Sequence, residues 1–269
     1  MNRKGKIIIA LVLISPLITA FLMMSLEKNP PLIESKNPIT FMTYNIHFGQ
    51  GGDDLLNLER IAQNILLDDP DIIGLQEVER GRITSQGVDM AYWLAKRLNM
   101  YYYYFNPPSN KHVMGNAILS KFPIVSARGY SLPSILQERV YIHCIIRVSP
   151  TLTLDVFNTH LGIRNENKYA QVNYLLNKIV ELSTPSTPTL LMGDLNLRRT
   201  SPEIQPLLTY FTDTGSIVAS SERANIDYIL VRGHESIIEY HVVNDMLPNI
   251  DSPAEFGSDH LPVVSTILF

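Results

Sequence analysis

The sequence is 269 residues long, 45% apolar by the AVILMFWYC count and 18% charged, with a formal net charge of −4. That apolar content excludes a disordered or collagen-like chain, and a single Cys excludes an internal disulfide framework or a cysteine-based zinc site. The first 26 residues carry Arg3, Lys4 and Lys6 and no acid, so the remainder holds 19 basic against 26 acidic residues; this argues against a strongly basic polyanion binder and leaves room for a local basic groove.

Residues Ile7–Met24 are 18 in number, 15 of them apolar, broken only by Ser15, Pro16 and Thr19. A basic stretch followed by an apolar run just long enough to span predicts a signal anchor over residues 1–26, one N-terminal transmembrane helix. No small-x-small cleavage site follows Met24, which favours the anchor over a cleaved signal; with cleavage the same domain would be secreted. Basic residues on the short N-terminal side place that end in the cytoplasm and the rest outside it. No Cys precedes Cys144, so lipidation of a Cys beside the apolar run is excluded. Residues 27–37, rich in Pro and polar residues, read as a tether, and residues 38–269 as one domain without an internal linker.

Within that domain, strand-length apolar runs alternate with helical patterns. Ile39–Tyr44 reads as a strand. Leu58, Ile61, Ala62, Ile65 and Leu66 share one face of a helix that stops near Pro70. Asp71–Val78 is a buried strand, Ala91, Leu94, Ala95 and Leu98 mark a second helix, and Asn116–Ser120 is a short strand. Val140, Ile142, Cys144, Ile146 and Val148 alternate with a period of two, and Leu152–Thr159 is the hairpin partner across Ser149-Pro150. Val172, Leu175, Leu176 and Ile179 mark a third helix, and Thr189–Gly193, Ile226–Val231, Ile237–Val243 and Val263–Leu268 complete the strands. Such a mixture over one core predicts a layered α/β fold.

Polar residues recur where these strands begin or end: Asn45, Glu77, His160, Asp194, Asn196, Asp227, Asp259 and His260. Strand ends at one sheet edge are where α/β folds bind ligands, and acids placed there among Leu and Ile need a partner. Hard oxygen donors from Glu77, Asp194, Asp259, Asn45 and Asn196 suit Mg²⁺, Mn²⁺ or Ca²⁺ and not zinc. This set points to phosphoryl chemistry, in which a carboxylate such as Asp194 deprotonates water and a His protonates the leaving group or steadies charge on phosphorus.

The ordered blocks MTYNIHFG, PDIIGLQEVER, GNAILSKFPI, NTHLG, MGDLN, NIDYIL and GSDHLPV resemble the endonuclease/exonuclease/phosphatase superfamily over about residues 38–269. The resemblance implies a four-layer α/β sandwich, with two packed mixed β-sheets flanked by helices. It implies an Mg²⁺ (or Mn²⁺) cofactor with Glu77, Asn45 and Asp259 at the metal. Asp194 would position or deprotonate the water, Asn196 would help hold water and phosphate, and His260 would contact the scissile phosphate, oriented by Asp227. His160 would lie near the leaving group and Asn116 would contact substrate. His47 stands where nuclease branches often carry another charged residue, and no long basic insertion for gripping duplex DNA is present.

Four other features have simpler readings. Tyr101–Tyr104 suits a strand better than a stacking platform, and Cys144 suits the core. His47 reads as a loop residue, and Arg82, Arg139 and Arg164, each able to clamp phosphate, read as solvated loop charges. The expected function is an extracytoplasmic, membrane-anchored, metal-dependent phosphohydrolase, acting as a monomer on a phosphodiester or phosphomonoester by activated water. A nuclease acting on DNA or RNA, and a non-catalytic binding module on the same fold, are the alternatives.

Overall fold

Two mixed β-sheets form because most of the apolar runs are buried on both faces. The computed structural model describes residues 37–108, 114–134, 137–217, 226–243 and 257–269, all within the unit Leu32–Phe269. The expected anchor (1–26) and all but the last residue of the expected tether lie outside the described residues. No described helix is long and apolar enough to cross a membrane.

The first sheet contains β1 (Ile39–Asn45), β2 (Ile72–Glu79), β3 (Tyr101–Phe105), β4 (Met114–Ser120), β11 (Ser236–Val242) and β12 (Val263–Leu268), in the order β11-β12-β1-β2-β4-β3. The second contains β5 (Ile124–Ser131), β6 (Val140–Arg147), β7 (Thr153–His160), β8 (Thr189–Asp194), β9 (Thr212–Asp213) and β10 (Asp227–Arg232), in the order β5-β6-β7-β8-β10-β9. One parallel pair lies inside each sheet, β1 with β2 and β7 with β8; the neighbours are antiparallel. In both sheets, therefore, two adjacent strands end at the same edge.

Phe41, Ile72 and Ile118 of the first sheet interlock with Ile142, Cys144, Val156, Leu190 and Ile229 of the second in the inter-sheet core. The alternation over Val140–Val148 lies behind this: Ile142, Cys144, Ile146 and Val148 all face that core. Helices cover the outer faces. In α1 (Leu58–Leu66), Leu58, Ile61, Ala62 and Ile65 are buried, and the Asn57 side chain caps the start by accepting from the Arg60 N–H at 3.2 Å. In α2 (Met90–Leu98), Asp89 caps in the same way, accepting from the Tyr92 N–H at 3.0 Å, and Asn99 ends the helix in a left-handed conformation. Both helices pack on Met42, Tyr44, Ile73 and Leu75. On the other side α3 (Asn165–Leu182) buries Val172, Leu175 and Ile179, one helical face, against Phe157, Leu191 and Tyr228, joined there by Leu207 of the short α4 (Gln205–Tyr210).

Two strands, β5 and the two-residue β9, were not among those predicted, whereas the strand reading of Tyr101–Tyr104 matches β3. β5 is an edge strand whose exposed and half-buried polar residues hide its pairing with β6. β3 is the Tyr-rich segment, and it is shared between layers: Tyr103 packs on the inter-sheet core and Tyr104 on the α1/α2 side. Only Tyr102 of the four tyrosines is exposed.

A polar pin crosses the apolar interior. Asn158 of β7, fully buried, donates from Nδ2 to the carbonyls of Leu75 and Ala117, each at 2.8 Å, and its Oδ1 accepts from Gln76 Nε2 at 2.7 Å. Gln76 also donates to Thr43 Oγ1 at 3.1 Å. Thus one side chain of the second sheet satisfies three groups of the first. Gly74 makes room for it, since a Cβ there would press on the Asn158 amide. Asn158→Ala strands these buried groups and is expected to cost about 3 kcal/mol in urea unfolding. A loss below about 1 kcal/mol would mean that apolar packing alone aligns the sheets.

Candidate active site

Sheet register brings the polar strand ends together. In the parallel pair β7–β8, His160 stands opposite Asp194; in the antiparallel pair β8–β10, Asp194 stands opposite Asp227. The close approach requires Gly193, with φ +145°, because a Cβ there would overlap the Thr159 carbonyl. On the other sheet the ladder between β2 and β4 shifts between Leu75 and Val78, a β-bulge in which Glu77 adopts φ 56°. The bulge separates two neighbours: Gln76 reaches the inter-sheet pin, and Glu77 reaches the sheet edge beside Asn45.

Asn45 joins the two halves of the site. Its Nδ2 donates to Glu77 Oε1 at 3.2 Å and to Asp194 Oδ2 at 3.1 Å, while its Oδ1 accepts the His47 N–H at 3.0 Å. Ser258 secures the segment before β12. Its hydroxyl donates to the Asn45 carbonyl at 2.6 Å and accepts the His260 N–H at 3.2 Å. His260 Nδ1 then bonds Asp227 Oδ2 at 3.0 Å, and its Nε2 points toward Asp194 Oδ2 at 3.8 Å. The His160 ring lies between the carboxylates, with Nδ1 3.9 Å from Glu77 and Nε2 3.3 Å from Asp194.

Crowding sets the protonation states. Burial, reinforced by the charge of Asp227, pushes the Asp194 carboxyl up to about 6. For His260, burial opposes the charged ring but is outweighed by the Asp227 hydrogen bond and the charges of Asp227, Asp194 and Asp259, and the result is about 9. His160 is held well below the ordinary imidazole range, first by burial and then by the charges of Arg139 and His260. At neutral pH the site therefore carries a protonated His260, a neutral His160 and an Asp194 that can take up a proton.

The other expected residues take distinct places. Asn196, in a left-handed conformation with φ 50°, donates its backbone N–H to Asp194 Oδ1 at 2.9 Å and its side chain to the Leu161 carbonyl at 3.0 Å, so it clamps the Asp194 turn. Asn116 is buried and donates to the Val140 carbonyl at 2.9 Å, linking β4 to β6 beneath Glu77. Asp259, expected at the metal, faces outward. Its side chain is 59% exposed and lies 3.8 Å from His47 Nδ1, because the Ser258 bonds on either side turn Ser258 and His260 inward and Asp259 outward. Among the described residues, Asp194, Asp227 and His260 form a group whose ligand atoms all lie within 4.8 Å of one another.

Arg139, expected as a solvated loop charge, is buried and lines a cavity with Glu77, Asn116 and His160. Arg82 is engaged by Glu79 at 2.6 Å, and Arg164 precedes α3 at the surface. Ser258, Gln76 and Asn158 were not identified from sequence, although Ser258 sits in the GSDHLPV block and Gln76 directly before Glu77.

Three comparisons bear on this arrangement. The family model described as "Endonuclease/Exonuclease/phosphatase family" matches residues 42–260. Protein cwh43 of Schizosaccharomyces pombe is 35% identical over 120 residues, which is 44% of this chain and 12% of that protein. Among solved structures, a mannosyl-6-phosphatase of Bacteroides thetaiotaomicron superposes with a TM-score of 0.71 at 20% identity, covering 86% of this chain and 100% of that one. The human Nocturnin catalytic domain with bound sulfate anion gives 0.66 at 21%, covering 90% and 100%.

The displaced carboxyl has a measurable consequence. Ionised Asp194 is less favourable in the folded than in the unfolded chain, so its burden appears as pH rises from the usual carboxylate range through about 6. Asp194→Asn should stabilise the metal-free protein at pH 7 by on the order of 2 kcal/mol and leave its stability at pH 4 nearly unchanged, read by thermal melts. His260, also raised, changes stability in the same direction over a higher range: its stabilising contribution is complete below about 6.5 and is lost as pH rises through about 9. A less stable Asp194→Asn variant at pH 7 would contradict the crowding account.

Proposed function

This chain belongs to the endonuclease/exonuclease/phosphatase family, and from that premise we propose that it is a divalent-metal-dependent phosphohydrolase that cleaves a phosphomonoester or phosphodiester by direct attack of water. The observation that carries the reading is the convergence of Asp194 and Asp227 from one sheet edge on Asn45, Glu77 and the His260 segment before β12 from the other.

The donor chemistry fits a hard cation such as Mg²⁺ or Mn²⁺. Glu77, Asp194 and Asp227 are carboxylates gathered where the two sheet edges meet, and a cation relieves their mutual repulsion. His260 is a poor ligand: Nδ1 is bonded to Asp227 and the ring is protonated at neutral pH. Glu77, with Asn45 beside it, is left to hold the ion. When bound, the cation supplies Lewis-acid polarisation of the phosphoryl group.

The chain's own residues do the rest. Asp194 accepts a proton from the attacking water; its raised position makes it a stronger base than an ordinary carboxylate, yet still ionised at neutral pH. Asn45 and the Asn196 N–H fix its two oxygens, leaving it little rotational freedom. His260 presents Nε2–H to a phosphoryl oxygen as charge develops there, and Asp227 holds that tautomer and orientation. Neutral His160 offers an N–H on the Glu77 side of the same space without adding a charge. The basic Arg3–Lys6 stretch and apolar Ile7–Met24 run support placing this domain outside the cytoplasm on a membrane anchor.

Metal-dependent release from a bis-aryl phosphodiester or the matching monoester is expected for the wild type, with at least a 10³-fold loss in Asp194→Ala and a 10²–10⁴-fold loss in His260→Ala. No metal-dependent release, or release unchanged in both variants, would overturn the assignment. The rate should fall above about pH 9 as His260 loses its proton, and Asp227→Asn should move that limb to lower pH. Mg²⁺ or Mn²⁺ should raise the melting temperature of the wild type more than that of Glu77→Gln.

A further inference from the structure

Arg139, at the entry to β6, is 6% exposed, and the charges of Glu77 and Asp194 that favour its cation are outweighed by the cost of its burial. Among the described residues its side chain has one hydrogen-bond partner, the neutral Gln137 Oε1, which accepts from Nη2 at 3.0 Å; Nε has none. The backbone on either side is pinned. Its N–H donates to Ser134 Oγ at 3.1 Å and its carbonyl accepts the Leu132 N–H at 2.7 Å, so the guanidinium is held where it stands. It lines a cavity of about 20 Å³ together with Glu77, Asn116 and His160.

Resting on the phosphohydrolase reading above, we infer that Arg139 is a substrate-contacting residue whose guanidinium receives the terminal oxygens of a phosphomonoester, so that the enzyme favours monoesters over diesters. Beside the guanidinium the cavity has room for about one or two water-sized groups such as phosphoryl oxygens. A monoester brings an unesterified, doubly charged phosphate, and a planar fork of N–H donors is suited to two of its oxygens at once. A diester would offer one charge less and would direct a carbon substituent into this space.

The test uses the full chain with Mg²⁺, inorganic phosphate as the binding probe, and an aryl phosphomonoester and bis-aryl phosphodiester as substrates. Arg139→Gln should weaken phosphate-induced thermal stabilisation at least tenfold in apparent affinity, and its kcat/KM should fall at least tenfold further on the monoester than on the diester. Arg139→Lys, which keeps the charge and loses the fork, should fall between. Without phosphate, Arg139→Gln should melt no lower than the wild type, an outcome that a merely structural arginine would not produce. Unchanged phosphate affinity, equal losses on both esters, or a lower melting temperature with phosphate binding intact would overturn the inference. Should the wild type hydrolyse neither ester, the phosphohydrolase reading falls, and the phosphate arm decides Arg139 by itself. Should Arg139→Gln fail to fold, Arg139→Lys decides both arms.

Discussion

The structure depends on holding two sheets in one relative position, and the buried Asn158–Gln76 contact is the interaction that specifies it. Apolar side chains such as Phe41, Val156 and Ile229 bring the sheets together, but their contacts are non-directional and tolerate sliding. The Asn158 amide does not. It must meet the carbonyls of Leu75 and Ala117 and the amide of Gln76 simultaneously, and any displacement leaves buried polar groups without partners. Because Gln76 precedes Glu77, and Asn158 lies two residues before His160, this pin sets the distance across the site as well as the sheet packing.

The site itself is costly for the fold. Asp194 and Asp227 stand side by side in the sheet, and burial together with the Asp227 charge makes the Asp194 carboxylate harder to sustain. Protonated His260 offsets part of that, and the hydrogen bonds from Asn45 and Asn196 offset more. The Glu77 bulge and the Gly193 approach are further departures from regular strand geometry at the same edge. They occur where the surrounding sheets are stiff enough to hold them, a rigid scaffold carrying a strained set of polar groups.

Much of this was legible in the chain. The alternation through Cys144, the helical faces of α1 and α2, and the continuous apolar runs of β1, β2 and β8 each report burial directly, because side-chain period follows backbone geometry. The polar strand ends stood out for a related reason: Asn45, Glu77, His160 and Asp194 interrupt apolar runs at their ends. β5 was hidden because an edge strand is half solvated and its pattern loses contrast. The orientations of Asp259 and Arg139 were not legible, for a shared reason. Whether a loop residue points inward depends on bonds from distant segments, the Ser258 hydroxyl on Asn45 in one case and the Ser134 hydroxyl on the Arg139 backbone in the other.

Residue order alone determined the layered α/β class, the helix and strand periods, and the family to which the chain belongs, because these follow from local pattern and from short motifs in sequence. Tertiary structure alone decided which polar groups share a space. Register places Asp194 between His160 and Asp227, and the bulge at Glu77 brings that carboxylate to Asn45. Protonation followed from the same placement, since the position of Asp194 at about 6 and of His260 at about 9 arises from burial and from charges contributed by separate strands. Electrostatic interaction depends on distance through space and on exclusion of water, and neither quantity is written in the spacing of residues along a chain.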